Sequence, residues 1–304
     1  MTENDKSTII ELYFFVKINM KRFVLIVEIY GRHKVITDRE FIRIVNYVKY
    51  HYGIDLSQKR TLVAGRLENY LVRNGYSGYD EYMEKVESAP EGDEARNLIN
   101  VLTTNHTYFM RENIHFEYMK KVVLPQLKVK ECSAKDLRIW SAASSTGEEP
   151  YTLAMLLMDF FGIEHGSWDT KVLATDVSTK VLEHATRGVY LREQIEPLPD
   201  KWKQRYFRAL GGDEYKVKDE LKGEVIFRQF NLMNPFPFRK RFHVVFLRNV
   251  MIYFEDDTKY QLIEKIYNHM EPGGYLFIGT TESLDRSKTK FQYVEPSIYR
   301  KQGM

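Results

Sequence analysis

The first residue that offers chemistry is an acid placed directly after a short apolar run, in Ala174-Thr175-Asp176. A carboxylate beyond the carboxyl end of a parallel strand can accept both hydroxyl hydrogens of a ribose, so Asp176 points to an adenosine-type ligand. A plain turn or N-cap aspartate is the bland alternative. The segment Ser141-Ala142-Ala143-Ser144-Ser145-Thr146-Gly147-Glu148-Glu149-Pro150 follows another apolar run. Its small residues let a ligand approach the backbone, but one glycine stands where a dinucleotide fingerprint has three, which argues against a pyrophosphate. Glu148 and Glu149 in the first helical turn repel phosphate and favour an amine-bearing ligand, or else serve the helix dipole. Asn231-Leu232 and Arg248-Asn249-Val250-Met251-Ile252-Tyr253-Phe254 follow two further runs and reach the same edge. Arg248 is costly to bury alone, so it is expected against either a ligand or a structural carboxylate. Asn105 to Glu112, read in isolation, is a linker with a solvated arginine.

The elements that must position these residues are legible from periodicity. Thr37 and Glu40 form a capping box, and Phe41, Ile44, Val45 and Val48 repeat at helical spacing until Gly53. Further helices follow Ser57 up to Gly75, carry Tyr79, Tyr82, Met83 and Val86, cover Ala95 to Leu102, and run from about Asn113 to Leu127. After Lys135 the apolar runs Leu137 to Trp140, Lys171 to Thr175, Val225 to Phe227, Val244 to Leu247 and Tyr275 to Ile278 alternate with helical patterns at Glu148 to Phe161, Thr179 to Arg187 and Asp257 to Met270. Such alternation predicts a doubly wound α/β domain with a mostly parallel sheet. Residues 189–224, rich in Pro and Gly, are too long for a crossover loop and are expected to form an inserted subdomain. The expected organisation is an extension of unknown role over 1–36, a helical domain over 37–102, a linker and connecting helix over 103–134, and the α/β domain over 135–304.

Composition excludes several classes. Of 304 residues 43% are hydrophobic and 29% charged, unlike disordered or collagenous chains. The single cysteine, Cys132, cannot form an internal bridge, and no Cys/His cluster has zinc-ligand spacing, so a metal-free protein of a reducing compartment, the cytoplasm, is expected. A net charge of +3 from 45 basic and 42 acidic residues does not mark a nucleic-acid binder. The apolar stretch Ile9 to Tyr30 is interrupted by Glu11, Lys17, Lys21, Arg22 and Glu28, which argues against a transmembrane helix, and the acidic residues before it argue against a secretory signal. It reads as an extra element, and Met20 is an alternative start.

Taken together, the segments resemble the chemotaxis receptor methyltransferase (CheR) family from about Thr37 to Arg300. The resemblance rests on Leu102-Thr103-Thr104-Asn105 with Tyr108-Phe109 and Arg111-Glu112, on Trp140 to Tyr151, on Ala174-Thr175-Asp176, and on Arg248 to Phe254. Gly273-Gly274 with Gly279 and Glu282 resembles the family's last hairpin region. The resemblance implies a Rossmann-like class I methyltransferase domain with an inserted small β-subdomain, preceded by a small all-α domain. It implies S-adenosylmethionine as methyl donor, S-adenosylhomocysteine as product, and glutamates in the cytoplasmic helical region of chemotaxis receptors as acceptors. Asn105, Thr107, Arg111, Glu148, Asp176, Asn231, Leu232, Arg248 and Asn249 would then bind the cofactor, with Glu148 on its amino group, Asp176 on the ribose, and Asn231 and Leu232 on the adenine. Arg111, Arg248 and Tyr253 would form the catalytic face where the glutamate arrives. Ser144 stands where cysteine is common in the family, and residues 1–36 have no counterpart.

An anionic glutamate, with a usual pKa of ~4.3, needs no general base to attack a sulfonium methyl, which fits the lack of any Ser/His/Asp or paired-acid constellation. Lys59, Arg66 and Arg73 recur every seven residues and share one helix face, widened by Arg60. This stripe is either a solvated face or a docking surface for the acidic methylation helices of receptors. The turn Gly211-Gly212-Asp213-Glu214 looks short for relatives that dock a receptor C-terminal peptide, so tether-independent action by a monomer is expected. A small-molecule methyltransferase, a silent adaptor and, more distantly, a nicotinamide dehydrogenase are the competing readings.

Overall fold

Thr37 begins the first helix, Asp38–Tyr52, with the expected capping box: its Oγ1 accepts the Glu40 N–H at 3.2 Å while its own N–H donates to Glu40 Oε2 at 2.8 Å. The computed structural model describes residues 35–303, so the stretch Ile9 to Tyr30 lies outside the described residues. They divide into two units, one running to Ile44 and resuming over Lys59–Leu102, the other comprising Val45–Gln58 and the chain from Thr103 onward. In the first unit, helices Arg60–Arg73, Tyr79–Ser88 and Asp93–Leu102 bury the residues that recur at helical spacing, among them Val63, Leu67, Leu71, Tyr82, Met83, Leu98 and Leu102. Arg43 ties this unit together through a fork onto the Glu87 carboxylate at 2.7 and 2.9 Å and a third bond to Asp80 at 2.9 Å.

The connecting helix of the second unit is interrupted. Ile114–Tyr118 and Leu124–Lys130 are α-helical, but Met119–Val123 forms a π turn in which the Leu124 N–H reaches Met119 O. Pro125 explains it, because its ring displaces the carbonyl four residues earlier and it has no N–H to continue the ladder.

The expected apolar runs become strands β1 Ile139–Ser141, β2 Val172–Asp176, β6 Val225–Gln229, β7 Phe242–Leu247 and β8 Met270–Ile278. Two short strands that periodicity did not reveal, β9 Gln292–Glu295 and β10 Ile298–Arg300, complete a seven-stranded sheet of order β6-β2-β1-β7-β8-β10-β9. The first five strands are parallel and the last two antiparallel. Strand residues alternate between two cores: Ile139, Val244, Phe246 and Phe277 join one with the helix Glu148–Phe161, while Trp140, Val245, Leu247 and Leu276 join the other with the helix Asp256–Asn268. The insertion carries β3 Val189–Leu191, β4 Phe207–Gly211 and β5 Glu214–Val217 as an antiparallel sheet of order β3-β5-β4. From β1 the chain winds outward to β2 and β6, then returns to the other side of β1 for β7. The switch point therefore lies between β1 and β7, where a ligand crevice is expected beyond the strand ends. Among the described residues no helix is long and apolar enough to cross a membrane.

Candidate cofactor site and active site

The loop leaving β1 makes two left-handed steps, Ser145 at φ +47° and Gly147 at φ +100°. A Cβ on Gly147 would lie 2.8 Å from both the Ala185 methyl and the Tyr190 hydroxyl, so glycine is required there. The resulting turn ties three expected cofactor residues together. The Ser145 N–H donates to Asp176 Oδ2 at 2.9 Å, and Ser145 Oγ donates to Asn105 O at 3.2 Å. Thr146 Oγ1 donates to Glu148 Oε2 at 2.7 Å. The other Asp176 oxygen accepts the Ser178 N–H at 2.9 Å.

Glu148 and Asp176 are 1% and 8% exposed, and burial pushes both carboxyls above the usual range. The Thr146 hydroxyl opposes the shift at Glu148, and the N–H groups of Ser178 and Ser145 oppose it at Asp176. Among the described residues neither has an ion-pair partner. Ser144 Oγ in the same loop is buried without a hydrogen-bond partner among the described residues. Two desolvated carboxylates with acceptor capacity left over suit a ligand that brings an ammonium and a diol, which S-adenosylmethionine does.

Arg248 pairs with two carboxylates. Its guanidinium donates to Glu149 Oε2 at 2.8 Å and to the Arg111 carbonyl, and lies 3.2 Å from Glu112 Oε2 over the Phe116 ring. Only 6% exposed, it is held by these carboxylates, and Nε alone is left buried without a partner among the described residues. Glu149 also accepts the Ser141 hydroxyl at 2.7 Å, and Glu112 accepts the Asn249 side chain at 3.1 Å and the Thr280 N–H at 3.0 Å. Burial pushes Glu112 up, but the Arg248 charge and these hydrogen bonds outweigh it and hold its carboxyl below the usual value.

Arg111 folds back onto its own loop, donating to His106 O at 2.7 Å with its guanidinium 5.9 Å from the Tyr108 ring centroid. Met110 and Glu112 on either side adopt left-handed φ of 62° and 56°. Thr107 lies half-buried in the same loop. On the β6 side, Asn231 is fixed by donating to His51 O at 2.7 Å and accepting the Met233 N–H at 3.0 Å, and Leu232 is buried. Tyr253 ends the short helix Met251–Tyr253, and its carbonyl accepts the Asp55 N–H at 2.8 Å.

Comparison with known proteins identifies the family. Residues 105–300 match the model of the CheR methyltransferase SAM-binding domain, and residues 39–103 match that of the CheR methyltransferase all-alpha domain. The chemotaxis protein methyltransferase of Borreliella burgdorferi is 38% identical over 270 residues, 88% of this chain and 95% of that protein. The chain belongs to the CheR methyltransferase family. The chemotaxis protein methyltransferases of Escherichia coli and Salmonella typhimurium are 35% and 34% identical, each over 87% of this chain and 91% and 90% of their own lengths.

Among the residues of this CheR chain expected to recognise substrate, the stripe divides. Arg60 donates to Asp38 at 2.7 Å and to Ile36 O at 2.6 Å, and Arg66 donates to the helix-terminal carbonyl of Leu102 at 2.8 Å. Lys59 and Arg73 are exposed. Sequence reasoning missed Lys265, which donates to the carbonyls of Leu232, Met233 and Asn234 at 2.7, 3.1 and 3.3 Å and so fixes the segment expected at the adenine. It also missed Glu112 and Glu149 as the partners of Arg248. A buried arginine after a strand calls for carboxylates, and both acids were visible in the matched segments. No group of three or more metal-ligating side chains occurs among the described residues.

Proposed function

We propose that this chain transfers the methyl group of S-adenosylmethionine to the side-chain carboxylates of glutamates in chemotaxis receptors, giving methyl esters and S-adenosylhomocysteine. The observation that carries the reading is the pair of buried carboxylates without an ion-pair partner among the described residues, Glu148 at the start of the helix that follows β1 and Asp176 at the end of the adjacent strand β2, in a chain of this family. Glu148 takes the ammonium of the cofactor and Asp176 the ribose diol, while Asn231 and Leu232 line the adenine. Asn105, Thr107 and Arg111 close the amino-acid end, and Asn249 borders it. Bound S-adenosylmethionine supplies an electrophilic sulfonium methyl.

The protein's task is then positioning. Holding carboxylate oxygen, methyl carbon and sulfur in line at roughly 3 Å contributes several kcal/mol without moving a proton. Arg111 and Tyr253 are assigned to the acceptor carboxylate. Arg248 is assigned a positioning role, acting through the Arg111 carbonyl that it holds. The helical domain over 37–102 recognises the acidic cytoplasmic helices of receptors through Lys59 and Arg73, with Arg60 and Arg66 shaping that surface. Residues 103–134 connect it to the catalytic domain over 135–304, whose insertion spans about 189–224. The two-residue link between β4 and β5 supports action without a receptor tether.

Incubation with labelled S-adenosylmethionine and receptor-rich membranes, followed by mild alkali, tests the reaction. A glutamate methyl ester releases volatile labelled methanol. Label retained after alkali, as in an N-methyl product, or no transfer at all, contradicts the proposal.

A further inference from the structure

The turn that carries Tyr253 has few hydrogen bonds of its own. Met251–Tyr253 is a single 3-10 turn closed by Tyr253 N–H to Val250 O at 3.2 Å and Phe254 N–H to Met251 O at 3.0 Å, and Asn249 before it sits at a left-handed φ of 56°. The N–H groups of Asn249, Met251 and Ile252 are helix-entry donors with no acceptor inside the turn.

All three donate to one side chain. Glu282 Oε2 accepts the Asn249 N–H at 2.9 Å and the Gly279 N–H at 2.7 Å, while Oε1 accepts the Met251 N–H at 2.8 Å and the Ile252 N–H at 3.2 Å. The carboxylate is 8% exposed and sits in a nest of backbone donors. Its approach depends on Gly279: a Cβ there would lie 2.9 Å from Glu282 Oε2 and 3.0 Å from Asn249 N, and would collide with the Asn249 amide. The chain closes the arrangement by donating the Glu282 N–H to Gly279 O at 2.9 Å. Glu282 thus joins the end of β8 to the whole run from Asn249 to Ile252, and Tyr253 is the next residue.

We propose that Glu282 is a positioning residue for methyl transfer, fixing the backbone of 249–252 and thereby the direction in which Tyr253 meets the acceptor carboxylate. This rests on the assignment of Tyr253 to the acceptor made above. Glu282 acts through the main chain of the turn and touches neither reactant. A lost carboxylate oxygen frees two N–H groups on one side of the nest and lets the turn rotate.

The test is a double-mutant cycle on the single-turnover rate of methyl transfer to receptor-rich membranes, using the full chain with Glu282→Gln, Tyr253→Phe and the double variant. Gln keeps the length and one acceptor oxygen, while its amide nitrogen accepts nothing. Each single change should slow transfer roughly tenfold, the effect of one well-placed hydrogen bond. The double variant should be slower than the slower single by no more than about twofold, because both remove the same placement. If Glu282→Gln transfers at the wild-type rate, or if the two losses multiply in the double variant, the positioning role is wrong while the assignment of Tyr253 stands. A normal rate for Tyr253→Phe overturns both. Should the Gln variant fail to fold, Glu282→Asp, which withdraws the charge by one methylene, runs the same cycle with the same outcomes.

Discussion

Replacing Arg248 with Met removes a guanidinium whose side chain is 3% exposed and which joins Glu149 at 2.8 Å and Glu112 at 3.2 Å. The two carboxylates it leaves behind are themselves 12–13% exposed. Breaking a buried pair from one side typically costs about 3–5 kcal/mol, because an uncompensated charge stays behind. Donors from Ser141, Asn249 and Thr280 remain, which puts the expected loss near the lower end, about 3 kcal/mol. The pH dependence has a definite sign. In the parent, Glu112 is held below its unfolded value, so its contribution is present above the ordinary carboxylate pKa and fades as pH falls through the depressed one. Without Arg248 that depression disappears, so the gap between parent and variant should be widest at neutral pH and narrow towards pH 4. Denaturant unfolding across that range measures it, and Arg248→Met combined with Glu112→Gln and Glu149→Gln should recover most of the loss. An unchanged unfolding midpoint for Arg248→Met, with a raised KM for receptor as the sole defect, would refute the reasoning and return Arg248 to the acceptor face.

Other outcomes follow from the same geometry. Lys59→Glu with Arg73→Glu should slow receptor methylation and lessen its salt dependence while leaving S-adenosylhomocysteine affinity intact; normal rates across a salt series would make the stripe a solvated face. His115, fully buried with Nε2 2.7 Å from Ser297 Oγ, is held down at about 4, chiefly by burial and then by the Arg248 charge. The unfolded chain takes a proton below its usual value of ~6.5 that the folded one refuses, so stability is full above that pH and falls towards pH 4 by roughly 3 kcal/mol at most. Urea midpoints against pH should show this slope, and it should flatten in His115→Gln; an equal slope in the variant would exclude His115 as its source. Gly147→Ala, forced against Ala185 and Tyr190, should weaken S-adenosylhomocysteine binding by distorting the turn that holds Asp176 and Glu148, as calorimetry can check.

The parts of the fold written in local chemistry were legible before any coordinates. The helices Glu148–Phe161 and Thr179–Arg187 fall where the pattern placed them, because Gly147 and Ser178 start them and Gly162 and Gly188 stop them. β9 and β10 were not legible, since a four-residue edge strand with Gln292, Tyr293 and Glu295 facing outward has neither an apolar run nor room for alternation. The candidate site divides in the same way. Asp176, Glu148 and Asn231 could be named because each follows a strand, and strand ends are where α/β sheets bind ligands. The pairing of Arg248 with Glu112 and Glu149, and of Arg66 with Leu102, is set by tertiary packing between distant segments. A heptad spacing shows which face a charge occupies but not which carbonyl it meets.

Titration of S-adenosylhomocysteine into the parent chain and into Asp176→Asn bears most directly on the cofactor site. Asn keeps the shape and can accept one of the two N–H groups, of Ser145 and Ser178, that the two Asp176 oxygens take, while its amide nitrogen accepts nothing, so the fold of the variant is checked by circular dichroism beside the titration. Loss of the charge-assisted bonds to a ribose costs about 1.5–3 kcal/mol, which predicts binding weakened roughly tenfold to a hundredfold. A folded Asp176→Asn that binds as tightly as the parent would contradict the assignment of the β2 carboxylate to the cofactor.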